Sequence, residues 1–323
     1  MMSVLKRLAV AVLLTLGIAL VLIATQSPRE RSDGAGFDFS AVGQREGEAP
    51  APLQSIPMRD GYALQVRTYG GADNVPLLVL LHNTGWHGAQ FDSLASSLAG
   101  DADVIVPDLR GHGTAPGRRG DVDYMGQLED DLADMITAMV RPGQPVILAG
   151  HGGGGGLVVR FAGGPHGALM DGAVLLAPDL HPAAPTLREG GGATHLLTRR
   201  NMGLGILNTL GISALNHLPV VQIDMPVSLL DGPQGDTATL TYSYRLYSSF
   251  APRRNYLDDV AALPPFVLLA GGADEAFISA QFAPTMGAVT DRGRYDMILG
   301  ATHLGLVDDP RTRAIIEGFL DGF

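Results

Sequence analysis

The segment VILAGHGGGGGLVVRFA, Val146 to Ala162, decides how the chain is read. A short apolar run enters a glycine-rich turn and leaves as an apolar stretch with helical spacing, which predicts strand, tight turn and helix. Turns of this shape present a nucleophile or cradle a phosphate. The centre of this one, Gly150-His151-Gly152-Gly153-Gly154, carries no hydroxyl, thiol, carboxylate or lysine. A phosphate loop would continue into Lys-Ser/Thr, and here Leu157 stands where that charge belongs. The Gly-x-Gly-x-x-Gly match inside GHGGGGG follows from low complexity, because a dinucleotide fingerprint belongs to a first strand and this turn lies mid-chain.

Outward from the turn, strand and helix periodicities alternate. VPLLVLLH, ADVIVPD, PVILAG, DGAVLLAPD and PPFVLLAGG are continuous apolar runs, as expected of strands buried on both faces. Between them lie GAQFDSLASSLAG and the acidic-to-apolar MGQLEDDLADMITAMV, which Pro142-Gly143 stops. LQSIPM and YALQVRTY flank Asp60-Gly61 and read as a leading hairpin. The alternation breaks between about Leu180 and Asn255, a stretch of Gly and Pro clusters with short helical pieces such as HLLTRRNMGLGILNTL. It then resumes through AQFAPTMGAV, GRYDMILGATH and TRAIIEGFLDGF. The pattern predicts an α/β fold, a mostly parallel eight-stranded sheet flanked by helices, with an inserted lid at 180–255.

The chain has 323 residues, enough for one full-sized core. Its formal charge of -11 argues against nucleic acid, whose phosphates it would repel. No cysteine is present, which removes disulfides, thiolate metal sites and a cysteine nucleophile together. Lys6 and Arg7 precede Leu8–Ala24, an apolar run without a charge. Residues 1–24 therefore read as an uncleaved membrane anchor with its basic end inside, the alternatives being a cleaved signal or a buried helix. Residues 25–52, rich in Gly, Pro, Ser and charge, read as a linker, and 53–323 as the main domain. That domain is expected outside the cytoplasm near a membrane surface, or secreted if the signal is cleaved.

Chemistry in such sheets gathers at the carboxyl ends of strands. Three ends carry suitable features: the glycine turn after Ala149, Asp274 in GGADEAF and His303 in GATHLGL. Their order is turn, acid, histidine. That order resembles the α/β-hydrolase family, in its lipase, esterase and lysophospholipase branch, where serine, acid and histidine follow in sequence and the serine sits in a Gly-x-Ser-x-Gly elbow. LLHNTGWHGAQFDSLASSLA resembles the family's oxyanion loop and following helix, and VPDLRGHG a loop common in that branch. The resemblance extends from Met58 to the C-terminus.

The resemblance implies a carboxylic-ester hydrolase in which Gly152 holds the nucleophile position, Asp274 the acid and His303 the base. It implies oxyanion donors at the backbone N–H groups of Thr84 and Gly153, and substrate contacts from Asn83, Trp86 and His151. Asn83 stands where the family's His-Gly-x-Gly loop commonly has its first glycine. An acyl ester or lipid-like ligand is implied, and no cofactor. A metal site is not expected, because the histidines lack ligand spacing. Glu275 and Asp179 are the fallback acids, and His82 and Asp108 are expected to be structural. The departure is Gly152, which has no side chain to attack with.

Three readings then stand open: a non-catalytic binding protein, a site in which the dyad activates water directly, and an inactivated form of a serine esterase. Thr84, Ser243 and Thr302 are regional candidates for a substitute hydroxyl, though none sits on a strained elbow.

Overall fold

The computed structural model describes residues 2–30, 37–38, 51–232 and 235–323; within the expected linker, 31–36 and 39–50 lie outside the described residues. Helix α1 (Met2–Ala24) leads the chain. The main sheet then collects β1 (Gln54–Pro57), β2 (Ala63–Tyr69), β3 (Leu77–Leu81), β4 (Asp103–Asp108), β5 (Val146–His151) and β6 (Gly172–Leu176). Helices α2 (Asp92–Ser97), α3 (Gln127–Met139) and α4 (Gly153–Ala162) connect them.

The insertion holds β7 (Thr194–Leu196), α5 (Thr198–Thr209), β8 (Pro219–Ile223), α6 (Val227–Leu230), β9 (Thr241–Ser243) and α7 (Tyr244–Phe250). After it come α8 (Tyr256–Ala261), β10 (Phe266–Gly271), α9 (Phe282–Gly287), β11 (Gly293–Ile298) and α10 (Pro310–Leu320).

The eight strands run in the order β1-β2-β4-β3-β5-β6-β10-β11. The hairpin β1–β2 and the β2–β4 pair are antiparallel, and every pairing from β4 onward is parallel. Strands β3, β5, β6 and β10 are buried throughout, which is why their sequences are unbroken apolar runs. The edge strand β11, GRYDMI, is half exposed and correspondingly mixed. This is the α/β-hydrolase fold, and it puts the ends of β5, β10 and β11 at the same rim of the sheet.

Glycine lets α4 start flush against that sheet. A Cβ on Gly154 would run into the carbonyl oxygens of Leu81 and His82, so the helix could not begin where it does with any larger residue there. On its far side α4 is tied down by charge: Arg160 reaches Glu129 of α3 at 2.6 Å, and Glu129 also takes Arg253 at 2.6 Å.

Within the insertion, β7, β8 and β9 form a separate antiparallel sheet. The sequence suggested only short helices there, because strands of three to five residues are too brief to establish an alternation. The insertion is pinned to the domain through Tyr242 of β9, whose hydroxyl accepts the Gly85 N–H at 2.8 Å and meets His112 Nε2 at 2.6 Å.

Candidate active site

Strand β5 ends at His151, and the chain reverses at Gly152 with φ 52° and ψ −115°. Only glycine adopts that backbone at little cost. The turn is fixed by its own backbone: Gly152 N–H donates to Leu176 at 2.9 Å, and its carbonyl accepts from Gly156 at 3.0 Å and Asp179 at 2.8 Å. The result is a sharp strand-to-helix elbow with its tip at residue 152.

The ends of β10 and β11 bring Asp274 and His303 to the same place. His303 Nδ1 lies 2.9 Å from Asp274 Oδ2, and both residues are buried. The other carboxylate oxygen accepts the N–H groups of Ala276 and Phe277, each at 2.8 Å. A carboxylate so engaged can only accept, so the imidazole proton sits on Nδ1 and the Nε2 lone pair points into the site. The histidine backbone is held as well. Its N–H donates to Glu275 Oε2 at 2.8 Å, and its carbonyl accepts from His151 Nε2 at 3.0 Å.

Opposite that lone pair lies Asn83. Its Oδ1 accepts the N–H of Thr84 at 2.7 Å and of Gly153 at 3.0 Å, the two groups expected to serve as oxyanion donors. Its Nδ2 is 3.2 Å from His303 Nε2. The amide orientation is fixed by these partners, two donors facing the oxygen and a lone pair facing the nitrogen. A Cβ built on Gly152 would overlap this carboxamide, coming within 2.6 Å of Asn83 Cγ. The space in which a side chain at 152 would stand is therefore filled by Asn83. Asn83, expected from the sequence to touch substrate, is a buried side chain that occupies the site itself.

The other two residues expected to contact substrate have partners within the protein. His151 is fully buried, with Nδ1 2.7 Å from Gln90 Nε2 and its ring 4.3 Å from that of His303, so it braces the base and has no free nitrogen. Burial holds its pKa well below the ordinary histidine value. Trp86 is stacked on His87 at 5.1 Å within the loop. His82 bonds backbone at both nitrogens, to Asn83 and Leu109, and burial takes its pKa down to about 3. Asp108 pairs with Arg67 at 2.8 Å.

The substitute hydroxyls have other work: Ser243 caps α7, Thr302 accepts the Gly305 N–H, and Thr84 bonds the Tyr242 hydroxyl. Among the fallback acids, Glu275 holds backbone. Asp179 keeps its carboxyl near His303 with its pKa pushed up to about 6 by burial. Among the described residues no cluster of His, Asp and Glu could hold a metal ion.

Two parts of the site left no mark in the sequence. Gln90 joins the halves, accepting the Asn83 N–H at 3.0 Å and meeting His151 on its other side. Phe37, far upstream, stacks on the His303 ring at 4.8 Å and 14°. Its neighbour Asp38 donates its N–H to Glu275 Oε1 at 2.9 Å.

The family described as serine aminopeptidase, S33, matches residues 72–281. An uncharacterized protein of Mycobacterium tuberculosis is 25% identical over 292 residues, covering 84% of this chain and 82% of that protein. The 3-hydroxybutyrate-oligomer hydrolase of Cupriavidus necator is 30% identical over 189 residues, covering 57% of this chain and 63% of that protein. Among solved structures, a soluble variant of monoglyceride lipase from Saccharomyces cerevisiae superposes with a TM-score of 0.64 at 18% identity, over 87% of this chain and 98% of that one. The chain belongs to the serine aminopeptidase S33 family of esterase- and lipase-type α/β hydrolases.

Proposed function

We propose that this protein is a self-blocked member of its family, one that binds an acyl ester or lipid-like molecule without forming an acyl-enzyme. The observation that carries this reading is the Asn83 carboxamide, bonded to Thr84 N–H, Gly153 N–H and His303 Nε2 in a site with glycine at 152. The attacking atom is missing, and the volume and hydrogen bonds that could serve a replacement are already used.

Magnitudes separate this from hydrolysis by dyad-activated water. Loss of a triad serine costs on the order of 10⁶ in turnover. Water could reach His303 only after Asn83 swings out. Breaking three hydrogen bonds worth about 1 kcal/mol each leaves that open form populated to about one part in a hundred or less. The two penalties multiply. The ester class is supported by the names of the Cupriavidus necator and Saccharomyces cerevisiae relatives, whose ligands are oligomeric or acylglycerol esters. Helix α1, long and apolar enough to cross a membrane, supports an anchored protein meeting ligands of lipid origin.

The test is to restore what is missing. Gly152→Ser alone should remain nearly inert, because its side chain meets Asn83. Asn83→Gly combined with Gly152→Ser should hydrolyse p-nitrophenyl butyrate at least about 10³-fold faster than the parent and label with a fluorophosphonate. A folded double variant with no gain in either assay would sink this reading.

A further inference from the structure

Helix α1 does not leave the domain cleanly. Its last turns lie antiparallel to α5 of the insertion, with Arg199 Nη2 donating to the Thr25 carbonyl at 3.0 Å and Arg200 to the Gln26 carbonyl at 2.5 Å. Three residues beyond Arg200 on α5, Gly203 faces the helix closely: a Cβ there would stand 2.6 Å from Ala19 O and 2.8 Å from Ile23 Cγ1. Small residues at such crossings are what let two helix backbones approach without a hydrophobic driving force. On α1 the sheltered residues are Thr15, Leu16, Ala19, Leu22 and Ile23, a stripe at helical spacing, while Val4–Leu14 stand exposed.

Antiparallel packing has a consequence for depth. Moving along α5 from Arg200 to Leu210 moves back along α1 from Gln26 toward Leu16. Ten residues of helix are about 15 Å, roughly half of a hydrocarbon core. If α1 spans a bilayer with Ala24 at one face, Leu210 lies near the midplane.

The chemistry of the insertion agrees with that depth. Residues 201–223 contain no Asp, Glu, Lys or Arg. Met202, Leu210 and Ile212 are 54%, 39% and 37% exposed. The turn after α5 also satisfies much of its own backbone. Leu210 donates to Leu207, Gly211 to Asn208, and Ile212 to Leu207, while the side chains of Asn208 and Asn216 bond each other in both directions. Internally paired backbone is what lipid demands of any segment it surrounds. The charges resume where the interface would be, at Arg199 and Arg200 on one side and Asp224 on the other.

We infer that α5 and the turn following it, residues 201–215, enter the bilayer alongside α1, so that anchor and insertion form one lipid-embedded wedge. The partner is the acyl-chain region of a phospholipid bilayer. The inference rests on the reading of α1 as a membrane span. Beside the wedge, at the expected interface, Arg29 pairs with Asp224 and its backbone bonds the Gln222 side chain of β8.

The experiment uses the full chain, with its single tryptophan removed by Trp86→Phe, in phosphatidylcholine vesicles brominated either near the headgroup or deep in the acyl chains. Trp is placed singly by Leu210→Trp, Met202→Trp, Leu13→Trp and, as a control on the domain surface, Val289→Trp. The expected result is loss of most Leu210→Trp emission in the deep-brominated vesicles. Met202→Trp should be quenched more by the shallow label, and Val289→Trp by neither. Quenching of Leu13→Trp without Leu210→Trp would overturn the wedge while leaving the anchor standing. No quenching at Leu13 would overturn both. All four Trp positions are exposed, folding of the common Trp86→Phe background is checked by circular dichroism, and Ile212→Asp in the Leu210→Trp chain should shift its quenching toward the shallow label.

Discussion

The two halves of the site were built to different ends. On the acid–base side, Asp274, His303, Glu275 and His151 form a closed set in which each backbone and side-chain group points His303 Nε2 at the elbow. Across from it, Gly152, Gly153 and Thr84 form the strand-to-helix elbow and the loop facing it, yet the Gly153 and Thr84 donors are spent on Asn83. One half holds an imidazole with its Nε2 directed at the elbow, and the other is satisfied internally. Polar wiring therefore says nothing by itself about turnover. A buried imidazole needs its partners whether or not it acts as a base, since an unpaired polar group in that position costs several kcal/mol.

The contrast can be broken from either side. The largest effect is expected from the Asn83→Gly, Gly152→Ser pair already described, which would convert the blocked half. Asn83→Gly alone should open room for water at His303 and give slow ester hydrolysis that His303→Ala in the same background removes; turnover surviving that change would show that the dyad takes no part. On stability the order reverses. Asp274→Ala strips His303 and two backbone N–H groups of their partner and should cost about 3–5 kcal/mol in urea unfolding followed by Trp86 fluorescence. Asn83→Ala exposes two donors to a cavity that water can enter and should cost about 1–2 kcal/mol. Equal losses would mean that the two halves are not distinct in the way described.

A further effect, modest for each ring but summed over several, is one of pH. Burial lowers His82 to about 3 and His87 to about 4, and depresses His112 and His151 as well. Unfolding lets these rings take up protons with their ordinary pKa near 6.5. Their contribution is complete above that value and falls as pH drops through it, by up to about 1.4 kcal/mol per pH unit for each ring. Unfolding midpoints at pH 7.5 and 5.5 should therefore diverge, and His151→Asn should narrow the gap. A gap unchanged by that substitution would remove His151 from the account.

Much of this was open to a reader of the sequence, for local reasons. Strands buried on both faces have to be apolar throughout, so β3, β5, β6 and β10 announced themselves. Gly152 and Asp274 follow strands of that kind and His303 follows the edge strand β11, all at the rim where a sheet of this kind exposes its loops. What stayed hidden depends on side chains meeting across the fold. Asn83 could be named as a departure, but its reach to residues 153 and 303 is a rotamer choice that no spacing encodes. Gln90 and Phe37 belong to the same class. The insertion concealed a sheet because three-residue strands carry no readable period, although its long uncharged run was in plain view.

Phe37 sets a threshold for any visitor to the site. Its ring lies on His303 with its neighbour Asp38 bonded to Glu275, and it belongs to the same chain as the imidazole it covers. A group tethered in this way is present at an effective concentration on the order of millimolar or above. A free molecule at micromolar concentration competes at a thousandfold disadvantage, about 4 kcal/mol, before it gains access to the imidazole face. Under the function proposed above, any ligand that reaches His303 has first to displace this ring.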